Sequence, residues 1–328
     1  MPIRRAISLP NVATSSRCEI LNFYSYIISI MLMPVDTRYG TMVKTILEKS
    51  TSKLRDGGFE SPQLLAELLM AHILKIPRKD LIRVKARSLT PAELERYESL
   101  FDRLLNHEPI QYIVGTTEFM GLEFHVDPSV LIPRPETETL VERVITIAKE
   151  HFPGEVRILD IGTGSGNIAI SLARFFPRAK IDAIEVSEAA LTIAKENEQR
   201  LSVGGPISFL KCDILDDAQL EYLRPPYDIV VSNPPYISTA EYNDLPPVVR
   251  LHEPSTALTD ANDGYTFFRR ISKIAETLLT KNGWLCVETA YNQANEVARM
   301  FGECRCFTDI VITKDLSGIE RVVSAKKA

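Results

Sequence analysis

The 328 residues carry 38 Lys plus Arg against 43 Asp plus Glu, a formal net charge of −5, with 45% hydrophobic and 25% charged residues. That balance suits a globular chain with a full apolar core and room for two ordinary domains. It argues against a protein that clamps nucleic acid through whole-molecule charge, and five cysteines without paired spacing argue against a secreted disulfide framework.

Residues 1–40 read as a leader. Arg4, Arg5 and Arg17 are its only charges before Glu19, and Ser8, Ser15 and Ser16 accompany them, the composition of an organellar transit peptide. The apolar run from Ile20 to Met33 is broken by Asn22, Ser25 and Ser29 and is too short to span a bilayer comfortably. The expected location is therefore mitochondrial, or cytoplasmic if a start at Met31, Met33 or Met42 bypasses the leader, with no membrane association.

Residues 41–106 read as a small helical bundle that docks a protein partner. Ser61-Pro62 opens one helix, with a serine N-cap, proline at the first helical position, and Leu64, Leu65, Leu68, Leu69 and Ile73 on one face. Thr90-Pro91-Ala92-Glu93 opens another with capping-box spacing, followed by Leu94, Tyr97, Leu100, Phe101 and Leu104. Residues 107–154 are expected to form a linker, a β-hairpin and a lid. From residue 155 to 328 the pattern becomes that of a catalytic domain. Short β-branched runs (Val156 to Asp160, Lys180 to Glu185, Ile207 to Lys211, Tyr227 to Ser232, Trp284 to Glu288) alternate with helical segments (Asn167 to Phe176, Ser187 to Arg200, Tyr265 to Thr280). This alternation predicts an α/β fold with a mainly parallel, Rossmann-like sheet covered on both faces. Ligands bind such sheets beyond the carboxyl ends of the strands, where strand order reverses.

Four segments fall at those ends. Gly162-Thr163-Gly164-Ser165-Gly166 follows Asp160, and its alternate glycines let the backbone turn sharply and approach a ligand. By itself the loop also fits a dinucleotide pattern, since Gly164 to Ala169 reads G-x-G-x-x-A. Glu185 ends the second strand, where a carboxylate can accept both ribose hydroxyls. After the third strand, Asp213 could receive an adenine amino group and Ile214 could wall the ring. The fourth segment, Asn233-Pro234-Pro235-Tyr236, decides between cofactor classes. Two prolines fix the direction of the Pro234 carbonyl, which together with the Asn233 side-chain oxygen makes two acceptors for one planar –NH₂. Tyr236 offers a flat face beside them. Such a grip orients a poorly nucleophilic amide nitrogen toward a methyl donor.

With these residues in place, the chain resembles the HemK/PrmC-type peptide-chain release factor glutamine N5-methyltransferases. The resemblance runs from about Thr41 to Val323. It includes Pro109 to Gly115, Pro133-Arg134-Pro135-Glu136-Thr137-Glu138, Glu253-Pro254, Asp263-Gly264, and Asp315 to Gly318 with Arg321. It implies S-adenosylmethionine as cofactor, held by Gly162 to Gly166, Glu185, Ile214 and Asn233, and a release-factor glutamine gripped by Asn233 to Tyr236. Arg134 and its neighbours would close over the site. The leader has no counterpart in the family. Cys304-x-Cys306 lacks neighbouring histidines, so no metal site is expected; the chain is expected to be a monomer without direct nucleic-acid contact. Two other readings stand beside this one. A nucleic-acid amino-group methyltransferase would share Asn-Pro-Pro-Tyr but needs a basic face, and a nicotinamide-dependent dehydrogenase would leave Asn233 to Tyr236 without a role.

Overall fold

The computed structural model describes residues 41–203 and 205–328, so the expected leader over residues 1–40 lies outside the described residues. The chain divides into two compact units between Phe101 and Asp102, inside a helix. The first unit holds α1 (Val43–Asp56), α2 (Pro62–Leu74), a 3₁₀ turn over Arg78–Val84, and the start of α3 (Pro91–Leu105). Buried Tyr97 of α3 donates its hydroxyl to Ser50 of α1 at 2.9 Å. The capping box at α3 forms: Glu93 N–H donates to Thr90 Oγ1 at 3.3 Å, and Thr90 N–H donates to Glu93 Oε2 at 2.9 Å. The cap expected at α2 does not. Ser61 adopts φ 50°, in the left-handed region, and its side chain makes no cap hydrogen bond. The buried face of α2 is Ala66, Leu69, Met70, Ala71 and Ile73, while Leu64 is exposed. Apolar residues surround most of this helix, so spacing alone could not select the inward side.

The second unit is built on a seven-stranded sheet. Its strands are β3 (Arg157–Ile161), β4 (Lys180–Glu185), β5 (Ile207–Lys211), β6 (Tyr227–Ser232), β7 (Leu279–Glu288), β8 (Phe307–Lys314) and β9 (Glu320–Lys327), after a separate hairpin of β1 (Thr116–Phe119) and β2 (Leu122–His125). The order is β5-β4-β3-β6-β7-β9-β8, with β9 antiparallel to its neighbours and the first five strands parallel. Order therefore reverses between β3 and β6, and Ile161, Glu185, Lys211, Ser232 and Glu288 end at one edge. Successive residues point to opposite faces. Ile158, Ile229 and Val231 pack on one side, and Leu159, Val230 and Val287 on the other. The first face is covered by α4 (Pro135–His151) and α5 (Asn167–Phe175); α6 (Glu188–Leu201) follows β4; α7 (Thr266–Leu278) and α8 (Ala294–Glu303) cover the second face.

Several boundaries differ from expectation. The first strand runs Arg157–Ile161, and β7 begins at Leu279, which shortens the preceding helix to Leu278. Strands β8 and β9 were not anticipated. The span 107–154 is not all linker and lid: in α4, Leu140, Val141, Val144, Ile147 and Ala148 are completely buried in the sheet core, which fixes that helix in place.

Candidate active site

The glycine loop is tied to the sheet by its own backbone. Gly162 and Thr163 N–H groups both donate to the Ile184 carbonyl, at 2.9 and 3.0 Å. Gly162, Gly164 and Gly166 have φ of +73°, +54° and +81°, a region that strains residues bearing a Cβ. The three glycines serve two purposes. A Cβ built at Gly162 or Gly164 would meet no atom within 4 Å, and both residues line an open cleft. A Cβ at Gly166 would lie 2.8 Å from Ile170 Cδ1 and 3.3 Å from Ala194 Cβ, so this glycine permits helix packing. Thr163 and Ser165 are buried beneath the loop and do not line the cleft. Thr163 donates its hydroxyl to Asp160 Oδ2 at 2.7 Å. Asp160 itself is fully buried; burial pushes its carboxyl up to about 7, against the Thr163 hydroxyl and the Ala169 N–H, which favour the ion.

The cleft encloses about 280 Å³ and brings together Gly162, Gly164, Glu185, Asp213, Ile214, Asn233, Pro234 and Pro235. Glu185 Oε1 accepts the Val186 and Ser187 N–H groups at 2.8 and 3.0 Å, and Oε2 accepts that of Gly164 at 3.1 Å. The carboxylate thus links strand end, glycine loop and the start of α6. Asp213 Oδ1 accepts Leu215 N–H at 2.9 Å, and buried Ile214 is fixed by Arg270, whose Nε donates to the Ile214 carbonyl. Phe267 and Ile271 of α7 add an apolar wall. Open space above two glycines, a carboxylate at the strand end and apolar walls fit a nucleoside cofactor.

On the other side, the end of β6 is held by Ser232, which donates its hydroxyl to the Ile161 carbonyl at 2.8 Å. Asn233 Nδ2 donates to Thr137 Oγ1 at 3.1 Å. Tyr236 does not line the cleft. Its hydroxyl reaches Glu288 Oε1 at 3.4 Å, and its carbonyl accepts Gln293 Nε2 at 2.9 Å. Burial, with the nearby Glu288 charge, raises the pKa of its hydroxyl. Gly264 packs behind it: at φ +84°, a Cβ there would lie 2.6 Å from the Tyr236 carbonyl oxygen. The turn that carries Gly264 is organised by Asp260. Burial would raise this carboxyl, but the N–H groups of Thr266, Asn262 and Gly264 outweigh it and hold the pKa down.

Arg134 is also drawn away from the cleft lining. Its guanidinium pairs with the buried Glu253 carboxylate, which also accepts Ile132 N–H at 3.3 Å. Reading the sequence for site residues missed Thr137, Glu288 and Asp160. The available signal was polarity out of place: Glu288 closes the apolar run Trp284 to Val287, yet is only 2% exposed. Burial pushes its carboxyl up to about 7. Thr137, Arg321 and Tyr236 oppose that rise, whereas Glu136 reinforces it. Arg321 is anchored by Asp315 at 3.0 Å across the β8–β9 turn. Among the described residues, no cluster of three or more His, Cys, Asp or Glu could hold a metal.

A mainly parallel sheet with a glycine loop, a strand-end carboxylate and an Asn-Pro-Pro edge at one cleft defines the methyltransferase class, and a methyltransferase-domain family model matches residues 154–321. Residues 45–115 match the PrmC N-terminal domain. The chain is 38% identical over 287 residues to a release factor glutamine methyltransferase of Geobacter sulfurreducens, covering 87% of this chain and 96% of that protein. It is 38% identical to the protein of the same name from Koribacter versatilis, over 87% of this chain and 98% of the relative. The chain belongs to the release factor glutamine methyltransferase family. Among solved structures, the protein-(glutamine-N5) methyltransferase (release factor-specific) from Alicyclobacillus acidocaldarius aligns at 33% identity and TM-score 0.39, over 62% of this chain and 99% of that one.

Proposed function

We propose that this chain transfers a methyl group from S-adenosylmethionine to the side-chain amide nitrogen of a glutamine, in a Gly-Gly-Gln type of segment of a peptide-chain release factor. The observation that carries the reading is the state of Asn233: its –NH₂ is engaged by Thr137, which leaves Oδ1 as the acceptor at the cleft beside Pro234. When bound, S-adenosylmethionine supplies an electrophilic methyl group on a sulfonium sulfur. Gly162, Gly164, Glu185, Asp213 and Ile214 would hold it along the glycine side. Asn233 and the Pro234 carbonyl would take the two hydrogens of the acceptor –NH₂, positioning its lone pair and stabilising charge that develops on nitrogen. The methylated nitrogen is acidic and releases its proton to water, so no strong base is required of the chain. In this reading Tyr236 acts from behind the grip, and Arg134 acts through Glu253.

The match of residues 45–115 to the PrmC N-terminal domain supports a docking role for residues 41–106. The enzyme would act as a monomer, without binding nucleic acid. No helix of the described residues is long and apolar enough to cross a membrane. The arginine- and serine-bearing leader supports mitochondrial delivery, which imaging of full-length and leader-deleted forms would test; identical cytosolic distributions would count against it. The functional test offers labelled cofactor with a recombinant release factor or with RNA and DNA. Label on the factor alone is expected. Label on the nucleic acid would favour methylation of adenine or guanine amino groups, a reading that the net charge of −5 opposes.

A further inference from the structure

Thr137 lies in the first turn of α4, 2% exposed, between two residues that come from different strand ends. Asn233 Nδ2 donates to its hydroxyl oxygen at 3.1 Å. The same hydroxyl opposes the rise that burial imposes on the nearby Glu288 carboxyl. Tyr236 adds its hydroxyl to that carboxylate at 3.4 Å. A hydroxyl oxygen that accepts from this amide can do so only from its –NH₂ end, which is the end Asn233 presents to Thr137.

That direction matters because packing cannot supply it. The oxygen and nitrogen of an asparagine amide are nearly the same size, so a rotation of half a turn about χ2 fits the same space. The rotated amide would present donors to an acceptor –NH₂ that also carries only donors. We propose that Thr137 is a positioning residue, holding Asn233 in the one amide orientation that turns Oδ1 toward the nitrogen to be methylated. The inference rests on the glutamine-amide reading above and gives a role to a buried hydroxyl that reading does not use. Glu288 Oε2 has no close hydrogen-bond partner, although such buried oxygens are rarely left so. Arg321 from β9 opposes the rise in its pKa, while Glu136 from α4 adds to it.

The test compares Thr137→Ser with Thr137→Ala. Both lose the γ-methyl group, and only alanine loses the hydroxyl; Thr137→Val takes its place if the alanine variant does not fold. Serine is expected to keep kcat on the release factor near the parent value, and alanine to fall at least about tenfold below serine, as loss of an aligned transition-state acceptor requires. Affinity for S-adenosylmethionine should be the same in both. A glutamine peptide titrated calorimetrically onto enzyme filled with S-adenosylhomocysteine should bind more weakly to the alanine variant than to the serine one. Equal kcat and equal peptide affinity in the two variants would overturn the inference, as would an alanine loss matched by losses of cofactor affinity and melting temperature. If the parent methylates the factor's glutamine while serine and alanine agree, only the positioning claim fails. If the parent places no methyl on that glutamine, the functional reading fails and this inference with it.

Discussion

The two sides of the cleft are built by different means. The glycine side is made largely of backbone: left-handed glycines, N–H groups donated to the Ile184 carbonyl, and three N–H groups gathered by Glu185. The acceptor side is made of side chains from distant segments, with Asn233 meeting Thr137 across 96 residues and Tyr236 meeting Glu288 across 52. A backbone cradle suits a cofactor whose shape does not vary, and its parts are local in sequence. A side-chain relay fixes the polarity of one amide, which shape alone cannot do, and replacing one member should act on its neighbours too.

The largest effect is expected on the acceptor side. Asn233→Ala should lower kcat on the release factor by about 10²–10³-fold, the loss typical of one aligned donor or acceptor in a transition state, with cofactor affinity almost unchanged. Single-turnover rates and calorimetry separate the two quantities, and a rate within a few-fold of the parent would break the comparison.

The next is a stability effect of the buried acid. The Glu288 carboxyl rises from 4.5 unfolded to about 7 folded, so its stabilising contribution is full below pH 4.5 and is lost as pH rises through 7. Relative to Glu288→Gln, the parent should therefore lose roughly 3 kcal/mol between pH 4.5 and pH 8. Asp160 titrates in the same range but is common to both proteins and cancels in the difference. Urea denaturation at a series of pH values gives this directly; parallel curves would show that Glu288 titrates normally.

On the glycine side, Glu185→Ala should weaken S-adenosylmethionine binding by about 2 kcal/mol, since hydrogen bonds to a charged group contribute about 1.5–3 kcal/mol each and water compensates in part. At saturating cofactor its kcat should stay close to the parent's, the reverse of the Asn233 pattern. Smallest is Gly264→Ala, where the new Cβ meets the Tyr236 carbonyl oxygen at positive φ. A cost of about 1–2 kcal/mol is expected, lowering the melting temperature by a few degrees at roughly 2–4 °C per kcal/mol for a domain of this size. An unchanged melting temperature would mean that the turn at Asp260 yields easily.

The same contrast explains what was legible in the sequence. Lys180–Glu185, Ile207–Lys211 and Tyr227–Ser232 form strands over the expected residues, because β-branched runs there are bounded by clear helix and turn signals. Strands β8 and β9 passed unnoticed: Phe307–Lys314 mixes charged and apolar residues at one edge of the sheet, and Glu320–Lys327 ends in lysines. Gly162, Gly164, Glu185 and Asn233 could be placed at the cleft because each lies at or just beyond the carboxyl end of a strand. Thr137 could not, since it enters through a core helix read as linker and lid, and Glu288 was seen only as the end of a strand. Side-chain relays join residues by tertiary structure, which local pattern does not encode.

The central claim is that the methyl group goes to an amide nitrogen, and the direct measurement is chemical. The release factor is methylated with labelled cofactor, the modified peptide is isolated, and its acid hydrolysate is examined for the labelled species. Methylamine, released together with glutamate from a peptide whose glutamine carries the added mass, is the predicted result. Labelled methanol from a carboxyl ester, or a methylated amino acid that survives acid hydrolysis intact, would contradict the account.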